Sequence, residues 1–178
     1  MTSLGTVIDV NLTSGDIRTT DFTESLAREF LGGFGWNVAV LYREVPQGTD
    51  TLGPDNLLVL SPGLLTGTAA PCSSRLHICA RSPQSGLMGS SNVGGFFGAR
   101  MHALGIRSVI VRGASPQPKT LHLSTDGPKL LDADEIWGRD TRDTETHLKD
   151  LLGDPKLETL VIGPAGENRL PFACIMAG

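Results

Sequence analysis

Apolar and polar positions alternate over short stretches through most of the chain, and only a few segments switch to helical spacing. Residues 4–10 alternate as a strand, 11–15 carry turn residues and 16–20 alternate again, so the chain opens as a hairpin. Thr23, Glu24 and Ser25 can cap a short helix over 26–31, with Phe30 and Leu31 on its apolar side. Val38, Leu41, Tyr42 and Val45 recur at helical spacing, which predicts a helix over 36–45 ended by Pro46. Residues 57–60 are all apolar, as in a strand buried on both faces, and 75–81 alternate as another strand. Between them, 61–71 form a long loop of small residues. A Gly/Ser/Asn-rich loop over 89–98 leads into a helix from Phe97 to His102 or Leu104, followed by a strand over 108–112 closed by Gly113. Residues 120–123 and 129–131 predict a hairpin turning at Asp126-Gly127. Asp140 or Thr141 caps a one-sided helix through Leu152, ended by Gly153. A strand over 157–162, a loop over 163–166 and a strand over 170–176 complete the reading.

The stretches 58–63 and 160–166 resemble each other. Each is an apolar strand, then a Pro/Gly loop, then an alternating strand with a cysteine (Cys79; Cys174). This predicts a pseudo-duplicated unit whose second copy stops before its own Gly-rich loop and helix.

Composition narrows the class. The 178 residues are 39% hydrophobic and 19% charged, with 22 Gly and 11 Pro, which favours many short elements and a sheet-rich domain over a helix bundle. A net charge of -4 without a basic run argues against nucleic acid and anionic membrane as partners. The absence of a long apolar segment or a leader pattern predicts neither a transmembrane helix nor a signal peptide. Cys72, Cys79 and Cys174 are odd in number and lack CxxC spacing, so neither a disulfide framework nor a zinc or iron–sulfur site is expected from this chain, and a reducing cytoplasm is the expected compartment. His77, His102, His122 and His147 are scattered; His77 and His122 fall in alternating runs and read as structural.

The candidate chemistry is that of binding. Gly94, Gly95 and Gly98 let another group approach the main chain, and Ser90, Ser91 and Asn92 add short hydrogen-bonding arms; the stretch fits an anion loop or a tight connection between packed elements. Arg75 follows a loop of small residues that leaves its guanidinium unshielded, and it reads either as a phosphate fork or as a surface arginine at a strand end. Asn92 suits a helix cap or an oxygen ligand of magnesium beside a phosphate. Glu167 and Asn168 read as a solvated turn or as ligand-facing. Residues 32–35 form a second glycine loop before a helix. Ser73 and Ser74 lack the context of a nucleophile elbow, and no acid/base or nucleophile constellation stands out.

These segments fall in a known order. Val10-Asn-Leu-Thr-Ser-Gly15, Leu31-Gly-Gly-Phe-Gly35, Leu52-Gly-Pro-Asp-Asn56, Gly63-Leu-Leu-Thr-Gly-Thr68, Ser73-Ser-Arg75, Ser91-Asn-Val-Gly-Gly-Phe-Phe-Gly98 and Gly163-Pro-Ala-Gly-Glu-Asn168 resemble, over essentially the whole chain, the N-terminal domain of tungsten-containing aldehyde:ferredoxin oxidoreductases. The resemblance implies an α+β fold of two β-sheets with a few short helices, residues 1–178 forming one cofactor-platform domain. It implies a tungsten or molybdenum atom held by two pterins, the tungstopterin, with a magnesium ion bridging the pterin phosphates. Arg75, Ser91, Asn92, Val93, Gly94 and Gly95 are the implied cofactor-binding residues, with Asn92 at the magnesium. No catalytic residue is implied in this chain. The [4Fe–4S] cluster, the contact with ferredoxin and the acid/base groups are implied in later domains or in a separately encoded subunit, so the chain alone is expected to be inactive. Phe34 departs from the arginine that members commonly carry in that loop. A related tungsten enzyme reducing benzoyl-thioesters, and a non-catalytic module holding a phosphate or pterin, are the alternatives.

Overall fold

The computed structural model describes residues 2–178 of the protein. Its centre is a six-stranded sheet in the order β2-β1-β6-β3-β4-β5, built from β1 (Ser3–Asn11), β2 (Ile17–Thr23), β3 (Leu58–Pro62), β4 (Leu76–Arg81), β5 (Met88–Val93) and β6 (Ile106–Arg112). All neighbours are antiparallel except β1 and β6, which run parallel. Two further pairs stand apart: β7 (Lys119–Ser124) with β8 (Gly127–Asp132), and β9 (Leu160–Val161) with β10 (Met176–Ala177). The fold is therefore mixed α+β, with one large sheet and two small ones among the described residues.

Both faces of the sheet are covered. Helices α1 (Glu24–Phe30) and α2 (Gly33–Glu44) pack on one face through Ala27, Trp36, Val40 and Leu41 against Val7, Val59, Cys79 and Ile110. Helix α3 (Phe97–Ala103) covers the other through Met101, against Ile8, Leu60, Leu76, Ile78 and Val109, with Leu121, Leu123, Leu130, Leu160 and Ile175 packed alongside. This two-sided burial is why 57–60 read as an unbroken apolar run. Asn37 is fully buried in α2, and its Nδ2 donates to the carbonyls of Val59 (3.1 Å) and His77 (3.2 Å). One side chain thus locks α2 onto both β3 and β4.

Local signals account for most boundaries. The Thr23 hydroxyl accepts from Leu26 N at the start of α1. Asp140 caps α4 (Thr141–Leu152), and Gly153 closes it in the left-handed conformation, φ 64°. The β7–β8 hairpin turns at Asp126-Gly127 as expected.

Four expectations shift. The stretch 89–98 is not one loop: residues through Val93 form β5, paired along its length with β4, and only Gly94, Gly95 and Phe96 remain irregular. Glycine, serine and asparagine have poor strand propensity, but the alternating β4 supplies a complete ladder and overrides it. Helix α2 begins at Gly33 rather than Trp36. Residues 163–166 belong to a one-turn helix, α5 (Pro164–Glu167), started by proline at its first position. The strand expected over 170–176 gives way to a turn, in which Ala173 N donates to the Leu170 carbonyl (2.9 Å), and pairing begins only at β10. The resembling units do share a geometry, since β3 pairs antiparallel with β4 and β9 with β10. Val59 pairs with Cys79 and Val161 with Met176, so the partner of Cys79 by register is Met176 rather than Cys174.

Candidate functional site

One end of the large sheet gathers the candidate residues. There β3 finishes at Pro62, β4 starts at Leu76 and β5 finishes at Val93. Arg75 stands immediately before β4 and is exposed. Its guanidinium lies beside Gly94, where a Cβ would stand 4.0 Å from a terminal nitrogen. The carbonyl of Arg75 accepts from the Thr66 hydroxyl at 3.0 Å, which ties the strand start to the small-residue loop. Gly95 takes φ 84°, with open space where a side chain would sit. The main chain is therefore bare next to an exposed cation.

Strand alternation separates the other expected residues. Asn92 lies opposite His77 and Ser90 opposite Cys79, on the α2 face; Ser91 lies opposite Ile78 and Val93 opposite Leu76, on the α3 face. Arg75, Asn92, Gly94 and Gly95 thus converge at the sheet end. Ser91 and Val93 can contribute there only through the main chain of this edge strand. Asn92 does not cap a helix: the residue before α3 is Phe96, and no side chain caps that end. The Asn92 Nδ2 instead lies 2.8 Å from His77 Nε2. Burial pushes the His77 imidazole below its ordinary pKa, favouring the neutral ring that accepts this bond.

The second glycine loop joins the same place. Gly32 bridges to Gly63, and a Cβ on Gly33 would stand 3.3 Å from the His77 ring. Phe34 packs at a ring-centroid distance of 6.0 Å from His77. The N-terminus of α2 has no side-chain cap and no acid in its first turn. Glu167 and Asn168, in contrast, serve the local fold: Glu167 Oε1 accepts from Gly138 N (2.9 Å), and Asn168 Nδ2 donates to the Pro164 carbonyl (2.7 Å).

A signal for this region lies in charge placement rather than in any run. Residues 56–125 contain no Asp or Glu, although they carry Arg75, Arg81, Arg100, Arg107, Arg112 and Lys119. The net negative charge of the chain therefore comes entirely from the two flanks, and the stretch that carries Arg75 and Asn92 is itself basic. His77, read as structural from its strand pattern, stands inside the site, and Asn37 was not singled out at all; both are visible in the sequence only as lone polar residues in apolar segments.

A separate concavity is lined by Asp9, Asn11, Asp16, Arg18 and Arg112. Arg112 is already engaged there by Asp9 (Nε to Oδ1, 2.8 Å) and Glu44 (2.8 Å), and its pKa is raised, first by the Asp9 hydrogen bond. Among the described residues no group of three His, Cys, Asp or Glu side chains is placed to hold a metal ion, and no helix is long and apolar enough to cross a membrane. The Arg75–Asn92–Gly95 surface does fit a phosphate with an accompanying hard cation. It offers a guanidinium, a carboxamide and unshielded main chain, from a stretch of sequence without Asp or Glu.

Comparison with known proteins gives a consistent result. A family model described as aldehyde ferredoxin oxidoreductase, N-terminal domain, matches residues 7–178. The chain is 38% identical over 172 residues to a tungsten-containing aldehyde ferredoxin oxidoreductase of Thermococcus kodakarensis, and 36% identical over 172 residues to one of Pyrococcus furiosus. Each match covers 97% of this chain and 28% of the relative. The fold also superposes, with a TM-score of 0.95 and 34% identity, on a chain of the active site complex BamBC of benzoyl coenzyme A reductase in complex with 1,5 dienoyl-CoA, covering 99% of this chain and 27% of that one.

Proposed function

Because the chain belongs to the aldehyde ferredoxin oxidoreductase N-terminal domain family, we propose that it is the cofactor platform of a tungsten or molybdenum bis-pterin oxidoreductase. The reaction proposed for the complete enzyme is oxidation of an aldehyde with water to a carboxylic acid, releasing two protons and two electrons, with ferredoxin as the electron acceptor. The chain spans under a third of the relatives it matches, and substrate pocket, cluster and ferredoxin contact are assigned to the remaining polypeptide or to a separate subunit. The metal held by pterin dithiolenes supplies the two-electron redox chemistry when bound.

The residues of this chain bind and orient. Arg75 forks onto a pterin phosphate. Asn92 would offer an oxygen to an accompanying magnesium ion. Gly94 and Gly95 keep side chains out of the way so that the phosphate reaches the main chain. Ser91 and Val93 contribute backbone groups on the free edge of β5. The observation that carries this reading is the exposed Arg75 guanidinium beside bare Gly94 main chain, in a stretch of sequence that has no Asp or Glu. Replacing Arg75 with Ala in the complete enzyme tests it. Loss of a charge-assisted contact costs about 1.5–3 kcal/mol, so tungsten and pterin per protomer should fall at least roughly tenfold under competing conditions; unchanged content sinks the assignment.

The superposition on the benzoyl coenzyme A reductase complex favours a second reading, a platform serving reduction of an aromatic thioester. The platform would be built the same way. Turnover of an aldehyde against that of benzoyl-thioester by the complete enzyme separates the two.

A further inference from the structure

Helix α2 buries Gly33, Trp36, Asn37, Val40 and Leu41, and Asn37 is the one side chain of this set that cannot pack as a hydrocarbon or an aromatic ring. It is completely shielded from solvent. Its carboxamide is only half satisfied. Nδ2 donates both protons, to the carbonyls of Val59 and His77. Oδ1 is buried and accepts no hydrogen bond from a protein group among the described residues. Turning the amide over would set its oxygen against two carbonyl oxygens, so chemistry fixes which way it points.

A second polar pair lies in the same layer. Ser61 and Ser108 are both fully buried, and Ser61 Oγ donates to Ser108 Oγ at 2.9 Å. Strand alternation puts Ser61 on the face of Val59, which α2 covers, and the register sets Ser61 opposite His77. Asn37 therefore holds the carbonyl of the residue facing Ser61 and that of the residue two before it. Two hydroxyls that share one hydrogen bond leave one proton over, and this pair makes no other hydrogen bond among the described residues. The layer thus holds an acceptor without a donor and a donor without an acceptor. They do not meet directly. Around them are Val40, Val59, Cys79 and Ile110, where an unmatched polar atom is costly.

We infer that one ordered internal water bridges Asn37 Oδ1 to the Ser61–Ser108 hydroxyl pair. It accepts the spare hydroxyl proton and donates to Oδ1, and its other proton is free for a main-chain carbonyl, within the two to four partners usual for internal water. Through this bridge a single α2 side chain holds three strands: β3 and β4 directly, and β6 by way of Ser108. The bridge stands or falls independently of the cofactor reading.

A crystal structure of the complete enzyme, at a resolution that shows ordered water, tests it. A peak should stand about 2.6–3.2 Å from Asn37 Oδ1 and from a hydroxyl of Ser61 or Ser108. Oδ1 accepting directly from a protein group, or a buried Oδ1 with no peak beside it, would overturn the inference. The Ser61→Ala/Ser108→Ala double variant changes little volume and should lose the peak; a water kept in place would show that the serines are not its partners and would sink the bridge. Asn37→Leu dismantles the same bridge from the other side. Its shift in thermal midpoint should therefore combine with that of the serine variant to less than the sum of the two, and additive shifts would contradict the inference. If Asn37→Leu does not fold, the density of the parent enzyme and of the serine variant decides.

Discussion

Helices α2 and α4 are both twelve residues long, yet their N-termini are built oppositely. In α4 the Asp140 carboxylate accepts from Arg142 N and Asp143 N at 2.9 Å each, Asp143 adds a second negative charge to the first turn, and Lys149 pairs with Glu145 one turn on. The helix satisfies its own ends and asks nothing of its neighbours. In α2 the capping position is Gly32 at φ 68°, the first turn has no acid, and the end is held by tertiary contacts instead, at Gly63, His77 and β3–β4. The difference shows how a fold separates stability from binding. A helix whose sequence caps itself is a strut, and a helix start stripped of caps and side chains faces the place where a ligand is expected.

The contrast breaks most sharply at Gly35. A Cβ there would overlap the Phe30 carbonyl oxygen, which belongs to main chain and cannot step aside. Gly35→Ala should destabilise the protein by about 3 kcal/mol or more, the upper range for overpacking, with α1 and α2 forced apart. Denaturant unfolding of the complete protein measures it. Next in size, Asp140→Ala should cost about 1–2 kcal/mol by removing the α4 cap, with cofactor content unchanged. A loss of cofactor there would mean that α4 is no mere strut. The smallest stability effect carries the most information: Phe34→Glu places a carboxylate in the first turn of α2, as α4 already has. It should leave stability within about 1 kcal/mol of the parent, helped by the helix dipole, while lowering tungsten and pterin content through repulsion of the phosphate. Equal retention would show that the α2 terminus does not face the anion.

The same contrast explains what was legible in the sequence. Where local chemistry is self-sufficient, the sequence sufficed: Asp140, Gly153, Thr23 and the Asp126-Gly127 turn each mark a boundary the structure keeps. Where tertiary partners decide, it misled. Met88–Val93 carries loop-like residues and becomes a strand because β4 offers it a ladder, and residues 170–176 lose most of their expected strand to a turn closed by Ala173 N on the Leu170 carbonyl. The candidate site was legible as Arg75, Asn92 and the glycines. Its division was not, because the alternation that sends Ser91 and Val93 to the opposite face from Asn92 exists only once β5 is recognised as a strand. His77 was hidden for a related reason: its partners Phe34 and Asn92 are far from it in the chain and reach it only through the packing of α2 and the register of β4 with β5.

The central claim is that Arg75 and the Asn92–Gly95 segment hold a pterin phosphate and its magnesium ion. The most direct measurement is a structure of the complete enzyme isolated with its cofactor. The account requires phosphate oxygens within hydrogen-bond distance of the Arg75 guanidinium and the Gly94–Gly95 main chain, with magnesium coordinated at Asn92. A pterin phosphate bound elsewhere, with Arg75 turned to solvent or to the remaining polypeptide, would contradict it.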